Sequence, residues 1–132
     1  MVTYGDGVSN INLQDLLKFH RSHGRLETVT GVRPPAQFGG LIFEGDLVAK
    51  FTDKLQAGEG CINGGFLVLE PEVFKYLEED NSRLESDVLE YLAADGQLAA
   101  YRSYDFWQCM DRLRDVRFLE SLWQSGKSPW KV

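Results

Sequence analysis

Between Arg25 and Glu70 the chain is cut by glycine and proline into short extended runs, and their order limits the fold more than any other feature. The run "RLETVTGV" is rich in β-branched residues and is ended by Pro34-Pro35, which reads as a strand. "GLIFEG" and "DLVAKFT" are short and alternating, and the Glu44-Gly45-Asp46 stretch between them is hairpin chemistry. "INGGFLVLE" reads as a second buried strand. Helical patterns flank these runs. In "NINLQDLLKFHRSHG", Leu13, Leu16, Leu17 and His20 share one face, Asn12 can cap the start and Gly24 the end. Pro71 opens a helix over "PEVFKYLEED". Leu84, Val88, Leu89 and Leu92 mark another helix, stopped at Gly96; "LAAYRSY" is a strand, and "RLRDVRFLESLWQSG" is a final helix. Strands alternating with helices indicate an α/β sheet, with the hairpin as an insertion. No repeat or linker interrupts the pattern, so residues 1–132 read as a single domain.

Charge narrows the partners. The chain carries 14 Lys and Arg scattered among 20 Asp and Glu, a formal charge of −6, which argues against a nucleic-acid face. An anionic small substrate would need a local positive pocket. The sequence shows neither a charged segment leading into an apolar one nor a run of 18 or more apolar residues, so no membrane association is expected and the cytoplasm is the expected compartment. Cys61 and Cys109, 48 positions apart, lack disulfide-framework or zinc spacing and read as reduced thiols of mixed burial.

Chemistry-bearing residues are few. "TYGDGV" places Asp6 between two glycines just after a strand end, where ligands collect in open α/β sheets, although Gly-Asp-Gly is also ordinary turn sequence. Asp111 precedes a helix, where an N-cap is the plain explanation. Lys54 falls in the loop after the hairpin, a position typical of a solvated lysine, and Asn63 before Gly64-Gly65 suits a tight entry into a strand. The glycine pair is not a phosphate loop, because it lacks G-x-x-x-x-G-K-[ST] and precedes a strand. His20 and His23 have no third ligand nearby in sequence; a protonated histidine near a helix C-terminus explains them without a metal.

Taken in order, "TYGDGV", "FGGL", "INGGFLVL", "FWQCMDRLRD" and "LESLWQSGKSPWK" resemble the second half of the glucose-1-phosphate cytidylyltransferase family, sugar nucleotidyltransferases of CDP-sugar and O-antigen synthesis. The last two stretches are the most specific. The resemblance implies a partial Rossmann-like (GT-A-like) nucleotidyltransferase sheet with helices and an inserted β-hairpin, without the N-terminal nucleotide-binding half. The family's Gly-Gly-x-Gly-Thr-Arg loop and Pro-Lys-Pro lysine, which hold the nucleotide triphosphate, do not occur in these 132 residues. On this reading the chain looks like a fragment or one piece of a split gene, beginning where the family's metal-binding strand ends.

In the family, a sugar 1-phosphate oxygen attacks the α-phosphorus of CTP, forming CDP-glucose and releasing pyrophosphate. The nucleophile is already ionised, so the site needs Mg²⁺ and cations more than a base. By resemblance Asp6 and Asp111 are the Mg²⁺ ligands. Lys54 is the catalytic lysine that contacts the sugar phosphate, and Tyr4, Gly5, Asp53 and Asn63 line the sugar site. Departures are visible. The family's Glu-Lys-Pro is Asp53-Lys54-Leu55, its Trp-Glu-x-Glu-Pro is Leu84-Glu85-Ser86-Asp87-Val88, and the proline of its Phe-Trp-Gln-Pro-Met-Asp is Cys109. Two functions of different class follow: a nucleotidyltransferase whose other half is supplied separately, or a non-catalytic remnant that binds sugar phosphate or serves as an interaction module. A cut sheet further implies a homo-oligomer or association with the missing half.

Overall fold

The computed structural model describes residues 1–35, 40–52, 61–77 and 82–131. Its main sheet has four strands in the order β1-β6-β3-β7, formed by β1 (Val2–Thr3), β6 (Ile62–Leu69), β3 (Glu27–Val32) and β7 (Leu98–Ser103). β6 runs antiparallel to β1 and to β3, and β3 runs parallel to β7, so β1, β3 and β7 all point the same way. Two small sheets accompany it. β4 (Gly40–Glu44) and β5 (Leu47–Thr52) form the anticipated hairpin, turning through Gly45 at φ 60°. β2 (Gly7–Ser9) and β8 (Trp107–Cys109) form an antiparallel ribbon. The alternation of strands and helices thus builds a mixed α/β fold.

Helix α1 (Leu13–His23) forms as its sequence dictates. The Asn12 carboxamide oxygen accepts from the N–H groups of Gln14 at 3.0 Å and Asp15 at 3.2 Å, and Gly24 ends the helix at φ 64°. Leu16 and His20 are its buried residues, whereas Leu13 is 48% exposed, so the buried stripe is narrower than the apolar pattern. Thr28 on β3 meets His20 of this helix. Alternation along β3 sends Glu27 to the other face, where its cross-strand neighbours Leu69 and Leu98 pack against a core of Val73, Val88 and Leu92. Leu67, Val88 and Leu92 are completely buried.

Two helical expectations change on this second face. Pro71 opens only a short 3₁₀ helix, Pro71–Tyr76, with i→i+3 bonds from Val73 to Glu70 and from Leu77 to Phe74. Residues 78–80 of the expected helix lie outside the described residues. The stripe from Leu84 begins as a π-turn, Leu84–Leu89, in which the Val88 N–H reaches the Arg83 carbonyl at 3.4 Å. It tightens into α2 (Glu90–Ala94). Helix α3 (Leu113–Gln124) closes the order of elements. Among the described residues no helix is long and apolar enough to cross a membrane.

Candidate functional site

The site takes shape where β6 breaks step with β3. Val29 faces Leu67, but the next pair is Gly31 with Asn63, so Gly64, Gly65 and Phe66 bulge opposite Thr30 alone. Glycine is required at both turns of the bulge. A Cβ on Gly64 would lie 2.6 Å from Val32 Cγ1, and Gly65 sits at φ 77° with the Tyr4 ring 2.8 Å from where its Cβ would be. The Asn63 side-chain oxygen accepts the Gly65 N–H at 2.9 Å. Its amide nitrogen donates to the Tyr4 hydroxyl at 3.3 Å. The plain expectation for Asn63, that it satisfies backbone at the entry to a strand, therefore describes half of what its side chain does. An amide nitrogen has two protons, and this bond uses one of them.

Tyr4 enters from β1, its N–H bonded to the Gly65 carbonyl at 3.0 Å. From the ribbon, the Trp107 indole N–H donates to the Gly64 carbonyl at 2.9 Å. Reasoning from the sequence attached no role to Trp107, although it stands inside the most specific stretch, "FWQCMDRLRD". A tryptophan in a three-residue strand carries no periodic signal.

The ribbon carries both aspartates to one end. Gly7 pairs with Cys109, Val8 with Gln108 and Ser9 with Trp107, and the ladder continues as the Met110 N–H donates to the Asp6 carbonyl at 2.8 Å. Asp111 follows immediately, so residues 105 positions apart leave the ribbon at the same end, both exposed. This end lies past the carboxyl end of β1, and the bulge lies near that of β3. Asp111 is not the helix cap its sequence position suggested. Arg112 occupies that place, and its N–H is held at 3.1 Å by Asp115. Burial pushes the Cys109 thiol pKa up; the Asp111 N–H opposes this, while the charge of the Asp111 carboxylate and its hydrogen bond with the thiol add to it. Cys109 and Cys61 are free thiols, half-buried and exposed respectively.

Gly5 lies in the exposed turn between β1 and β2. Asp53 and Lys54 lie outside the described residues. Among the described residues no group of three or more His, Cys, Asp or Glu is placed to hold a metal. A pair of exposed carboxylates nevertheless fits Mg²⁺, which takes one or two protein carboxylates and fills its shell with water and substrate phosphate. The histidines stand apart, joined to Thr28 near the amino end of β3.

No protein-family model matches the chain. Among curated proteins, it is 43% identical to a probable glucose-1-phosphate cytidylyltransferase of Bacillus subtilis, over all of this chain and 52% of that protein. It is 41% identical to glucose-1-phosphate cytidylyltransferase of Salmonella typhi, over all of this chain and 51% of that protein. Among solved structures, a putative glucose-1-phosphate thymidylyltransferase from Bacillus anthracis superposes with a TM-score of 0.61 at 12% identity, covering 89% of this chain and 51% of the other. That likeness concerns the fold. The chain spans about half the length of the curated relatives it matches. It is a homologue, along its whole length, of about half of a glucose-1-phosphate cytidylyltransferase.

Proposed function

We propose that this chain supplies the sugar-phosphate and metal side of a cytidylyltransferase site, acting on glucose 1-phosphate and CTP to give CDP-glucose and pyrophosphate once the nucleotide-binding half is present. The observation that carries the reading is the β2–β8 register, which brings Asp6 and Asp111 to one ribbon end beside the Asn63 bulge. Asp6 and Asp111 hold Mg²⁺, which when bound supplies positive charge against the phosphate oxygens. Lys54 meets the sugar phosphate as a point charge. Asn63, with the second proton of its amide, hydrogen-bonds the hexose, while Tyr4 and Gly5 close the pocket wall and Asp53 contacts the sugar. The work of these residues is positioning and charge compensation between two anions.

The test is titration of glucose 1-phosphate into the 132-residue chain by calorimetry, with and without Mg²⁺. Weak Mg²⁺-dependent binding is expected, lost in Lys54→Ala and in the double variant Asp6→Asn, Asp111→Asn. The same chain should release no pyrophosphate from CTP, because its sequence contains neither the Gly-Gly-x-Gly-Thr-Arg loop nor the Pro-Lys-Pro lysine. Mg²⁺-independent binding, or binding unchanged by all three substitutions, would remove this reading. Turnover of CTP by the 132 residues alone would show a self-sufficient active site instead.

A further inference from the structure

We propose that Trp107 is a positioning residue for sugar-phosphate binding: its indole N–H, by holding the Gly64 carbonyl, locks the glycine bulge that aims Asn63 and ties it to the ribbon bearing the two aspartates. The inference rests on the reading of Asn63 as a sugar contact. Two consecutive glycines have the most backbone freedom of any pair and no side chains to hold them in place. Outside the strand ladders, three hydrogen bonds among the described residues hold Gly64 and Gly65. One comes from within, the Gly65 N–H to the Asn63 side-chain oxygen; one comes from β1, the Tyr4 N–H to the Gly65 carbonyl; and one comes from β8, the Trp107 indole N–H to the Gly64 carbonyl.

The third bond is the one of the three whose donor is a side chain, the Trp107 indole N–H. It also starts from a strand whose next residues lead to Asp111, and it crosses to a sheet that the backbone joins to the ribbon through residues 4–6 after β1 and 104–106 after β7. Trp107 is itself held in register opposite Ser9. Gly7 lies beside the ring, where a Cβ would sit 3.6 Å from the indole nitrogen and 4.0 Å from the Gly64 carbonyl, both ordinary contact distances. Loss of this one N–H would leave the Gly64 carbonyl without its donor and let the Gly64–Gly65 peptides turn, carrying the Asn63 amide away from the metal end.

Two variants separate the N–H from the ring. Trp107→Phe removes the donor, and 3-benzothienylalanine placed at position 107 keeps the bicyclic shape with sulfur in place of N–H. In the ligand-free chain, both should speed amide exchange at Gly65 and shift the Asn63 side-chain amide resonances, leaving Thr28 and Leu69 unaltered. Glucose 1-phosphate affinity should fall about tenfold, the size of one lost hydrogen bond, while the Kd for Mg²⁺ alone stays within about twofold, a change equivalent to under ~0.5 kcal/mol. Unchanged Asn63 and Gly65 signals in the benzothienylalanine variant would overturn the proposal, as would equal loss of glucose 1-phosphate and Mg²⁺ affinity. If the wild-type chain bound no glucose 1-phosphate, the proposed function would fall, and the ligand-free resonances would still decide whether Trp107 holds the bulge.

Discussion

Glu27 is the residue least suited to its surroundings. It is fully buried, neither carboxylate oxygen has a hydrogen-bond partner, and burial pushes its pKa up from 4.5 to about 7. Between those two values the folded chain keeps a proton that the unfolded chain has released. Its contribution to stability is therefore complete below pH 4.5 and is lost as pH rises to about 7, a loss on the order of 3 kcal/mol. Urea titrations across that range should show this fall, and Glu27→Leu should abolish it and be the more stable protein at pH 8. A pH-independent wild-type midpoint would show that the carboxylate finds a partner. At the bulge, Gly64→Ala should cost about 1–3 kcal/mol, because its Cβ would strike Val32 Cγ1 and lie 3.2 Å from the Thr30 carbonyl, which cannot move aside. Thermal melts of that variant beside an exposed control such as Gly5→Ala, whose Cβ meets nothing within 4 Å, measure it.

At the scale of elements, α1 is fastened to β3 by a hydrogen-bond chain whose direction can be worked out. The Arg25 N–H donates to His23 Nδ1 at 3.0 Å, so His23 carries its proton on Nε2 and donates to Thr28 Oγ1 at 2.7 Å. Thr28 then donates to His20 Nδ1 at 2.8 Å, and His20 Nε2–H donates to Glu70 at 3.0 Å. The chain requires a neutral His23, and burial first, then His20 and Arg25, lower the His23 pKa accordingly. A histidine with a lowered folded pKa contributes stability above its ordinary value of 6.5 that is lost as pH falls. His23→Gln should therefore reduce acid sensitivity below pH 6.5 while leaving the alkaline limb set by Glu27 in place, which pH-dependent melts resolve. Nothing in the sequence pattern announced this chain, since it joins a helix end, a strand and a turn. What was legible had local causes: Asn12 and Gly24 bracket α1, and Pro34-Pro35 follow β3. The ribbon was illegible because three residues cannot display a period of two. The π-turn at Leu84 was hidden because its apolar spacing is that of an α-helix.

The whole molecule leaves a large apolar surface uncovered. Phe74 is 73% exposed and edges a groove of about 430 Å³ lined also by Met1, Val2, Leu69, Val73 and Leu77, beside a β1 that pairs with only Phe66 and Leu67 of β6. Such a surface favours association. The chain should sediment as a dimer or larger species at micromolar concentration, and Phe74→Glu should shift it toward monomer; a monodisperse wild-type monomer would count against this. The ribbon bears on the molecule in another way. Its two strands come from opposite ends of the chain, Gly7 against Cys109, so pairing them closes a loop of roughly 100 residues. Contacts of such long range form late, after α1, the hairpin and the β3–β7 crossover have shortened the path. The proposed metal end should be the last part to assemble and the first to open. In pulse-labelling during refolding, the Met110 amide should therefore gain protection more slowly than that of Leu16. A chain halted before Trp107 would hold every strand of the main sheet and lack both the ribbon and Asp111.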